Sequence, residues 1–265
     1  MNNIDKFISR FKTFSSFSNQ ISENFKKSVN RRFYGKIFER LCQVYLINEP
    51  KYKALIRNVW LLDEVPKNIK EFLNLPLHRD EGIDLILETN DKKYWAIQSK
   101  FISDTSKTLT RTKLNNFHSL AYIHCKNIDH CLLMSTTSSP PKKRDLLDGV
   151  SYILIDEFLA LDFKNSEKWK AIKRTIRGKS NNIKSSKPRN YQKKIVNKLL
   201  EYFENRESSR GKIIMPCGTG KSLVGYFFAK NTNYKKIIIC LPSLYLVNQT
   251  LKVWSKELLA DNIEV

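Results

Sequence analysis

The most restrictive feature of this sequence is the stretch KIIMPCGTGKSLVGYFFA (212–229), in which a glycine-rich turn separates an apolar run from an apolar helical pattern. A strand, a glycine turn and a helix in that order are the context that a phosphate-binding loop requires, although Met215 takes the place of the first glycine of the strict motif. Lys221 is expected to reach the β and γ phosphates of a nucleotide, and Ser222 to hold Mg²⁺. The predicted nucleotide-binding residues of this loop are Gly218, Thr219, Gly220, Lys221 and Ser222.

The chain of 265 residues is strongly basic, since 47 Lys and Arg against 26 Asp and Glu give a formal net charge of +21. Such a charge favours a polyanionic partner through the release of counterions, and we expect that partner to be double-stranded DNA. No apolar run approaches the roughly 20 residues that span a bilayer, and the five cysteines show no paired spacing. These features predict a reduced, cytoplasmic protein with no membrane partner.

The pattern of apolar residues divides the chain in two. From residue 1 to about 163, helical patterns alternate with short apolar strands, which predicts an α/β or α+β domain that begins with a packing helix over residues 4–25. Between Lys164 and Leu199 there are thirteen basic residues and one acid, so we place a basic linker at 164–187. The basic residues of the linker are either merely solvated or bind along a phosphate backbone.

A β-hairpin is predicted for the stretch GIDLILETNDKKYWAIQSK (82–100). Because side chains alternate along a strand, Gln98 and Lys100 share one face of the hairpin. For Asp84 to join them, the hairpin needs a loop with an odd number of residues or a bulge. A two-residue turn would instead pair Asp84 with Ser99, behind the sheet. The polar face is therefore either solvated or a functional site.

Two segments that flank the glycine turn resemble superfamily 2 helicases and translocases. The glutamine that reads adenine in that superfamily corresponds to Gln192 in PRNYQKKIV (188–196), and motif Ia corresponds to IIICLPSLYLVNQT (237–250). With the phosphate loop, the resemblance implies an incomplete RecA-like domain at 188–265 that binds ATP. The sequence ends at Val265 before an acidic box or a second lobe, so we expect the C-terminal part of the motor, with or without methyltransferase regions, to be missing.

The hairpin resembles the core of PD-(D/E)XK nucleases, and specifically the Mrr-type restriction domain, in which an Asp is followed by a hairpin and Gln-x-Lys. Asp84, Gln98 and Lys100 match that pattern, and Glu39 in GKIFERL matches a helix-borne acid of the family. The resemblance implies a DNA endonuclease in which Asp84, Gln98 and Ile97 bind catalytic Mg²⁺. Lys100 would stabilise charge on the phosphorane, and Glu39 would supply the charge that the neutral Gln98 lacks.

The expected fold class is therefore α/β, with a restriction-endonuclease-like domain (1–163, of which about 35–163 carry the resemblance), the linker (164–187) and a partial RecA-like domain (188–265). This order implies a Mg²⁺-dependent DNA endonuclease coupled to an ATP-dependent helicase or translocase, as in restriction enzymes of type I, III or ISP. Two alternatives stay open. One is a DNA-binding module that has an inactive nuclease fold and only loads the motor. The other is an ATP-dependent remodeller with an unrelated N-terminal domain.

Overall fold

The computed structural model describes residues 1–27, 30–76, 82–142, 149–181, 183–204, 210–261 and 263. The chain divides into two compact units, Met1–Asn181 and Asn182–Val265. None of the helices in these described ranges combines the length and the apolar character that a membrane span needs.

Two helices, α1 (Asn3–Ser9) and α2 (Phe14–Lys26), open the first unit, where the sequence predicts a single one. Asn2 and Thr13 cap them, each accepting a backbone amide of the first turn, at 2.8 Å and 3.1 Å. The apolar stripe of both helices is buried in the core of the unit. The prediction that this segment packs on the domain is therefore confirmed, although the chain turns between the two helices.

The long helix α3 (Arg31–Asn48) packs on the sheet of the first unit and is followed by the short helix α4 (Pro50–Lys53). Its core-facing residues recur at helical spacing, and they are Ile37, Phe38, Leu41, Cys42, Val44, Tyr45 and Leu46. This packing fixes the position of Glu39, which lies on the same helix and is half-buried.

A five-stranded sheet in the order β1-β2-β3-β4-β5 forms the centre of the first unit. The strands are β1 (Ile56–Leu61), β2 (Leu85–Thr89), β3 (Tyr94–Lys100), β4 (His130–Ser135) and β5 (Val150–Ile153). The pairs β1/β2 and β2/β3 are antiparallel, whereas β3/β4 and β4/β5 are parallel. Helix α5 (Lys67–Phe72) lies between β1 and β2, and helix α6 (Arg111–Ser119) lies in the crossover that the parallel pair β3/β4 requires.

Both faces of the hairpin β2/β3 are buried, so it is not the solvated hairpin that the sequence left open. Leu85 and Ile97 belong to the core on the α3 face of the sheet. Ile86 and Ala96 belong to a second core on the opposite face, which includes Phe117 of α6. Gln98 is only 1% exposed.

The first unit ends later than the sequence predicts. After α7 (Ile155–Leu159) and one 3₁₀ turn, helix α8 (Phe163–Ile176) occupies the first half of the predicted linker at 164–187. Its Trp169 and Ile172 are fully buried in the core on the α3 face. Three of the thirteen basic residues that suggested a linker, Lys168, Lys170 and Arg174, lie on the exposed side of this amphipathic helix, so composition placed the boundary too early.

The second unit consists of helices α9 (Asn190–Glu204), α10 (Lys221–Lys230) and α11 (Leu244–Ala260), packed around a small apolar cluster. The sequence predicts a strand before the glycine turn. Neither this apolar run nor the one before Pro242 is paired, and Ile214 and Ile238, one in each run, are 84% and 88% exposed. A strand needs a neighbour for its backbone N–H and C=O groups. The described part of this unit supplies no such neighbour, so the strand prediction is not met here.

Candidate active site and nucleotide site

The β2/β3 hairpin closes through a three-residue loop, 90–92, in which Lys92 has a φ of 61°. A loop with an odd number of residues is what the predicted site requires. A regular continuation of the ladder would place Asp84 opposite Gln98.

The ladder is interrupted at Asp84. Its amide donates to the carbonyl of Ile97 at 2.9 Å, although Ile97 already pairs with Leu85. Two residues of one strand then oppose one residue of the other, which is the arrangement of a β-bulge. The Asp84 carboxylate Oδ2 accepts the amide of Ser99 at 2.6 Å and its hydroxyl at 3.1 Å. Asp84 therefore contacts Ser99 and not Gln98.

Gln98 and Ile97, the other two predicted metal ligands, lie apart from the Asp84 carboxylate. Gln98 points to the opposite face of the strand from Ser99, because neighbouring side chains alternate. Its Oε1 is buried and has no hydrogen-bond partner among the described residues. Ile97 is fully buried, and its carbonyl oxygen already accepts the Asp84 amide. In this arrangement the structure does not bring the three predicted ligands together.

Asp84 instead shares a cavity of about 270 Å³ with Glu39. The cavity is bounded by α3, by the residues at the end of β1 and by those that precede β2, and its charged lining residues are Arg32, Lys36, Glu39, Asp63 and Asp84. Burial raises the pKa of the nearby Cys42 thiol well above its ordinary value, and the negative charges of Asp84 and Glu39 raise it further. The two carboxylates therefore act on the same region of α3. We call this space the Asp84 cavity.

Burial raises the pKa of the Asp84 carboxyl above its ordinary value. The backbone amide of Ser99, the positive charge of Lys100 and the Ser99 hydroxyl oppose that effect, in this order. Lys100 is half-buried at the end of β3 and is close enough for its charge to act on the Asp84 carboxylate. Of the four predicted catalytic residues, Asp84 and Glu39 line one cavity, and Lys100 acts on the Asp84 carboxylate through its charge. Gln98 does not line that cavity.

The donor set of the Asp84 cavity fits a magnesium ion. The ranges that the structure describes contain no group of three or more His, Cys, Asp and Glu side chains that could hold a metal. Mg²⁺, however, prefers oxygen ligands and is usually held by one or two carboxylates together with water and substrate phosphates. Asp84 and Glu39 provide such a pair.

The glycine turn of the second unit has the backbone of a phosphate loop. Gly218 and Gly220 have φ values of 78° and 79°, which favour glycine, and Gly220 caps the N-terminus of α10. The ammonium group of Lys221 donates to the carbonyls of Met215 at 2.9 Å and Pro216 at 3.1 Å. Lys221 is thus bound to its own loop and would have to exchange these hydrogen bonds for phosphate oxygens.

Gln192 is attached to the same loop. Its Nε2 donates to the carbonyl of Thr219 at 3.1 Å, and its Oε1 accepts the amide of Arg189 at 2.9 Å. The hydroxyl of Tyr191 donates to the same Thr219 carbonyl at 2.8 Å. A β-carbon at position 220 would lie 2.7 Å from the Nε2 atom, so Gly220 permits this close approach. The structure therefore brings the predicted adenine-reading residue next to the predicted phosphate loop.

Sequence reasoning missed Trp254 of α11. Its indole N–H donates to the Ser222 carbonyl at 3.0 Å and to the Ser222 hydroxyl at 3.2 Å, so it orients the predicted Mg²⁺ ligand of the loop. Gly225 makes room for the indole, since a β-carbon at that position would lie 3.4 Å from the ring. A glycine inside an apolar helical pattern is a sequence signal for such a close approach.

Two family models match this chain, one in its N-terminal part and one in its C-terminal part. Residues 47–167 match a family model described as a restriction endonuclease, and residues 185–263 match one described as the res subunit of type III restriction enzymes. The chain therefore carries a restriction endonuclease domain followed by a helicase-like region. The predicted fold class, a nuclease domain before a partial motor domain, is confirmed.

Individual relatives agree with this assignment. The chain is similar to the ATP-dependent Type ISP restriction-modification enzyme LlaBIII bound to DNA, with a TM-score of 0.61 and 26% sequence identity, and the match covers 88% of this chain and 15% of that one. Two Arabidopsis thaliana proteins, the general transcription and DNA repair factor IIH helicase/translocase subunits XPB2 and XPB1, are 32% identical over 102 residues. That match covers 38% of this chain and 12% of each relative, so the chain spans a small part of their length.

Proposed function

We propose that this chain is the Mg²⁺-dependent, DNA-cleaving part of an ATP-driven DNA motor that acts in restriction. The observation that carries the proposal is the Asp84 cavity, which Glu39 shares, with the charge of Lys100 acting on the Asp84 carboxylate. The two family matches and the DNA-bound Type ISP neighbour support it. The cytoplasmic location that the sequence predicts is part of the proposal.

Each residue of the proposed site has its own role in phosphodiester hydrolysis. Asp84 and Glu39 provide carboxylate oxygens for Mg²⁺, and Ser99 fixes the Asp84 carboxylate through its amide and hydroxyl. When bound, Mg²⁺ polarises the scissile phosphate and lowers the pKa of the attacking water. Lys100 stabilises the negative charge that develops on the phosphorane. Gln98, neutral and buried on the other face of β3, does not bind the metal in this proposal.

For the second unit we propose an ATP site. Lys221 would bind the β and γ phosphates, Ser222 would hold the Mg²⁺ of the nucleotide, and Gln192 would read the adenine. Lys221 and Gln192 are both hydrogen-bonded to loop carbonyls in this structure. ATP binding therefore has to break contacts within the loop, which would link nucleotide occupancy to the shape of the loop.

Metal dependence is the direct test of the nuclease proposal. The purified protein is incubated with supercoiled and linear DNA in the presence of ATP, with either Mg²⁺ or EDTA. We expect cleavage in Mg²⁺ at a rate at least about a hundredfold above the EDTA control, because water attack on a phosphodiester needs the metal. Cleavage that continues unchanged in EDTA would show that the proposed mechanism is wrong.

Lys221→Ala is expected to weaken ATP binding by roughly one to two orders of magnitude, because the variant loses a charge-assisted contact with the phosphates. The measurement is the anisotropy of a fluorescent ATP analogue titrated with protein in Mg²⁺. Lys198→Ala, an exposed lysine of α9, is the control and should bind as the parent does. Equal affinities for the parent and Lys221→Ala would rule out the proposed phosphate contact.

A second candidate function is a DNA-binding module with an inactive nuclease fold that loads the motor. Two observations favour it: the neutral Gln98 at a position expected to bind metal, and the lack of a three-acid group within the described ranges. This candidate predicts salt-sensitive DNA binding without cleavage in any divalent metal. The cleavage assay therefore distinguishes the two functions.

A further inference from the structure

Gly35 lies in the second turn of α3, where packing within the protein does not require a glycine. Glycine is among the poorest helix formers, because it loses the most backbone freedom on folding. A β-carbon built at Gly35 would meet no described atom within 4 Å, unlike one at Gly225, which would meet a tryptophan ring. Gly35 lines the Asp84 cavity. The space beside its backbone is therefore open to a ligand in that cavity.

Two cations flank this space. Arg32 and Lys36 lie three residues before and one residue after Gly35, and both line the same cavity. Arg32 is exposed and Lys36 is half-buried. Among the residues that the structure describes, neither forms an ion pair. Their positive charges are therefore available to a ligand.

The negative charges of the Asp84 cavity indicate which kind of ligand would need the cations Arg32 and Lys36. Glu39, Asp63 and Asp84 also line the cavity, and these carboxylates would repel a DNA strand that approaches without compensation. Bound Mg²⁺ would offset part of this repulsion at the scissile phosphate. The neighbouring phosphates of the same strand need cations of their own, and a phosphate is bound well by a guanidinium and an ammonium group together.

We propose that Arg32, Gly35 and Lys36 form the binding site for the DNA phosphate adjacent to the scissile one. Arg32 and Lys36 donate to its oxygens, and Gly35 lets the phosphate approach the backbone of α3 closely. This inference rests on the proposed nuclease function, because it assigns the position of the strand that the Asp84 cavity cuts.

The test is Gly35→Ala in the protein, with DNA, Mg²⁺ and ATP. The added methyl group meets no described atom of the protein and favours the helix, so the midpoint of thermal unfolding should stay the same or rise. The methyl group fills the space of the phosphate, so the DNA concentration that gives half-maximal cleavage should rise about tenfold. If Gly35 had only a structural role, its replacement would not leave the unfolding midpoint unchanged or raised and at the same time raise the DNA concentration needed for half-maximal cleavage.

Arg32→Ala and Lys36→Ala test the charges separately. Each should weaken DNA binding and reduce the slope of log affinity against log salt concentration by about one, as expected for the loss of one phosphate contact. Two surface variants serve as controls, Gln20→Ala on α2 for the effect of a helical alanine and Lys170→Ala on α8 for the effect of a lost surface charge. Both should leave cleavage unchanged.

Asp84→Asn in the same assay separates the inference from the function on which it rests. If the parent cuts DNA and Asp84→Asn does not, the proposed nuclease function stands. In that case, cleavage by Gly35→Ala at the rate of the parent would overturn the phosphate site alone. If the parent fails to cut, both proposals fail. Weakened cleavage by Gly35→Ala together with a lower unfolding midpoint would assign Gly35 a structural role and would also overturn the phosphate site.

Discussion

Replacing Asp84 with asparagine should lower the rate of DNA cleavage by roughly a thousandfold while DNA binding persists. Asparagine has nearly the same shape, and its carbonyl oxygen can still accept the amide and hydroxyl of Ser99, which bind Asp84 at 2.6 Å and 3.1 Å. It lacks the negative charge that Mg²⁺ needs. The measurements are the cleavage rate under single-turnover conditions in Mg²⁺ and ATP, and the DNA affinity from electrophoretic mobility shifts.

The same variant should not lose stability, and the pH dependence of stability shows why. Burial raises the pKa of Asp84 in the folded state, so the folded protein binds this proton more tightly than the unfolded chain does. The charged carboxylate therefore destabilises the fold above the raised pKa, and this penalty is removed as the pH falls to the ordinary value. Asp84→Asn should be at least as stable as the parent near neutral pH in EDTA, and the difference should shrink at about pH 4.

Asp91→Asn provides the matched control for the loss of a carboxylate. Asp91 lies in the exposed loop of the same hairpin, 60% exposed, outside the Asp84 cavity. Its replacement should leave the cleavage rate unchanged. If Asp84→Asn cut DNA as fast as the parent and Asp91→Asn, Asp84 would not be a metal ligand, and the nuclease site would have to lie elsewhere.

Trp169→Ala should reduce the free energy of unfolding of the first unit by about 3–5 kcal/mol, because it opens a cavity in a packed core. Trp169 is fully buried, its ring lies 5.6 Å from Phe17 and 6.3 Å from Phe14, and its indole N–H donates to the Phe11 carbonyl at 3.0 Å. The residue thus joins α8 to the N-terminal helices. The measurement is urea denaturation followed by circular dichroism.

Phe163→Ala on the same helix is the control for this prediction. Its side chain is 70% exposed, so its removal should change the free energy of unfolding by less than about 0.5 kcal/mol. Trp169→Phe should give an intermediate loss, because it keeps most of the apolar volume but not the hydrogen bond to Phe11. Equal stability of Trp169→Ala and Phe163→Ala would mean that α8 is a linker after all, as composition suggests.

The two candidate sites could be predicted from the sequence to different extents. In the nucleotide site, Gly218, Gly220 and Lys221 are close in sequence, and a short turn largely determines their arrangement. In the nuclease site, the sequence predicts catalytic roles for Asp84, Lys100 and Glu39. Whether these residues come close together depends on how α3 packs on the sheet. Neither Arg32 nor Trp254 carries a motif, so their placement in these sites is visible only in the structure.

The amino-acid sequence by itself determined the features that arise from near neighbours. The amphipathic stripes of the first helices and the glycine turn before α10 both follow from steric and periodic rules that act over a few residues. The tertiary structure alone decided three further points: the bulge that brings the Asp84 carboxylate to Ser99, the burial of Trp169 in place of a linker, and the absence of strand pairing for the apolar runs within the described part of the second unit. These depend on partners many residues away. The free energy that selects them comes from packing and from backbone hydrogen bonds between distant segments, which no local pattern of residues encodes.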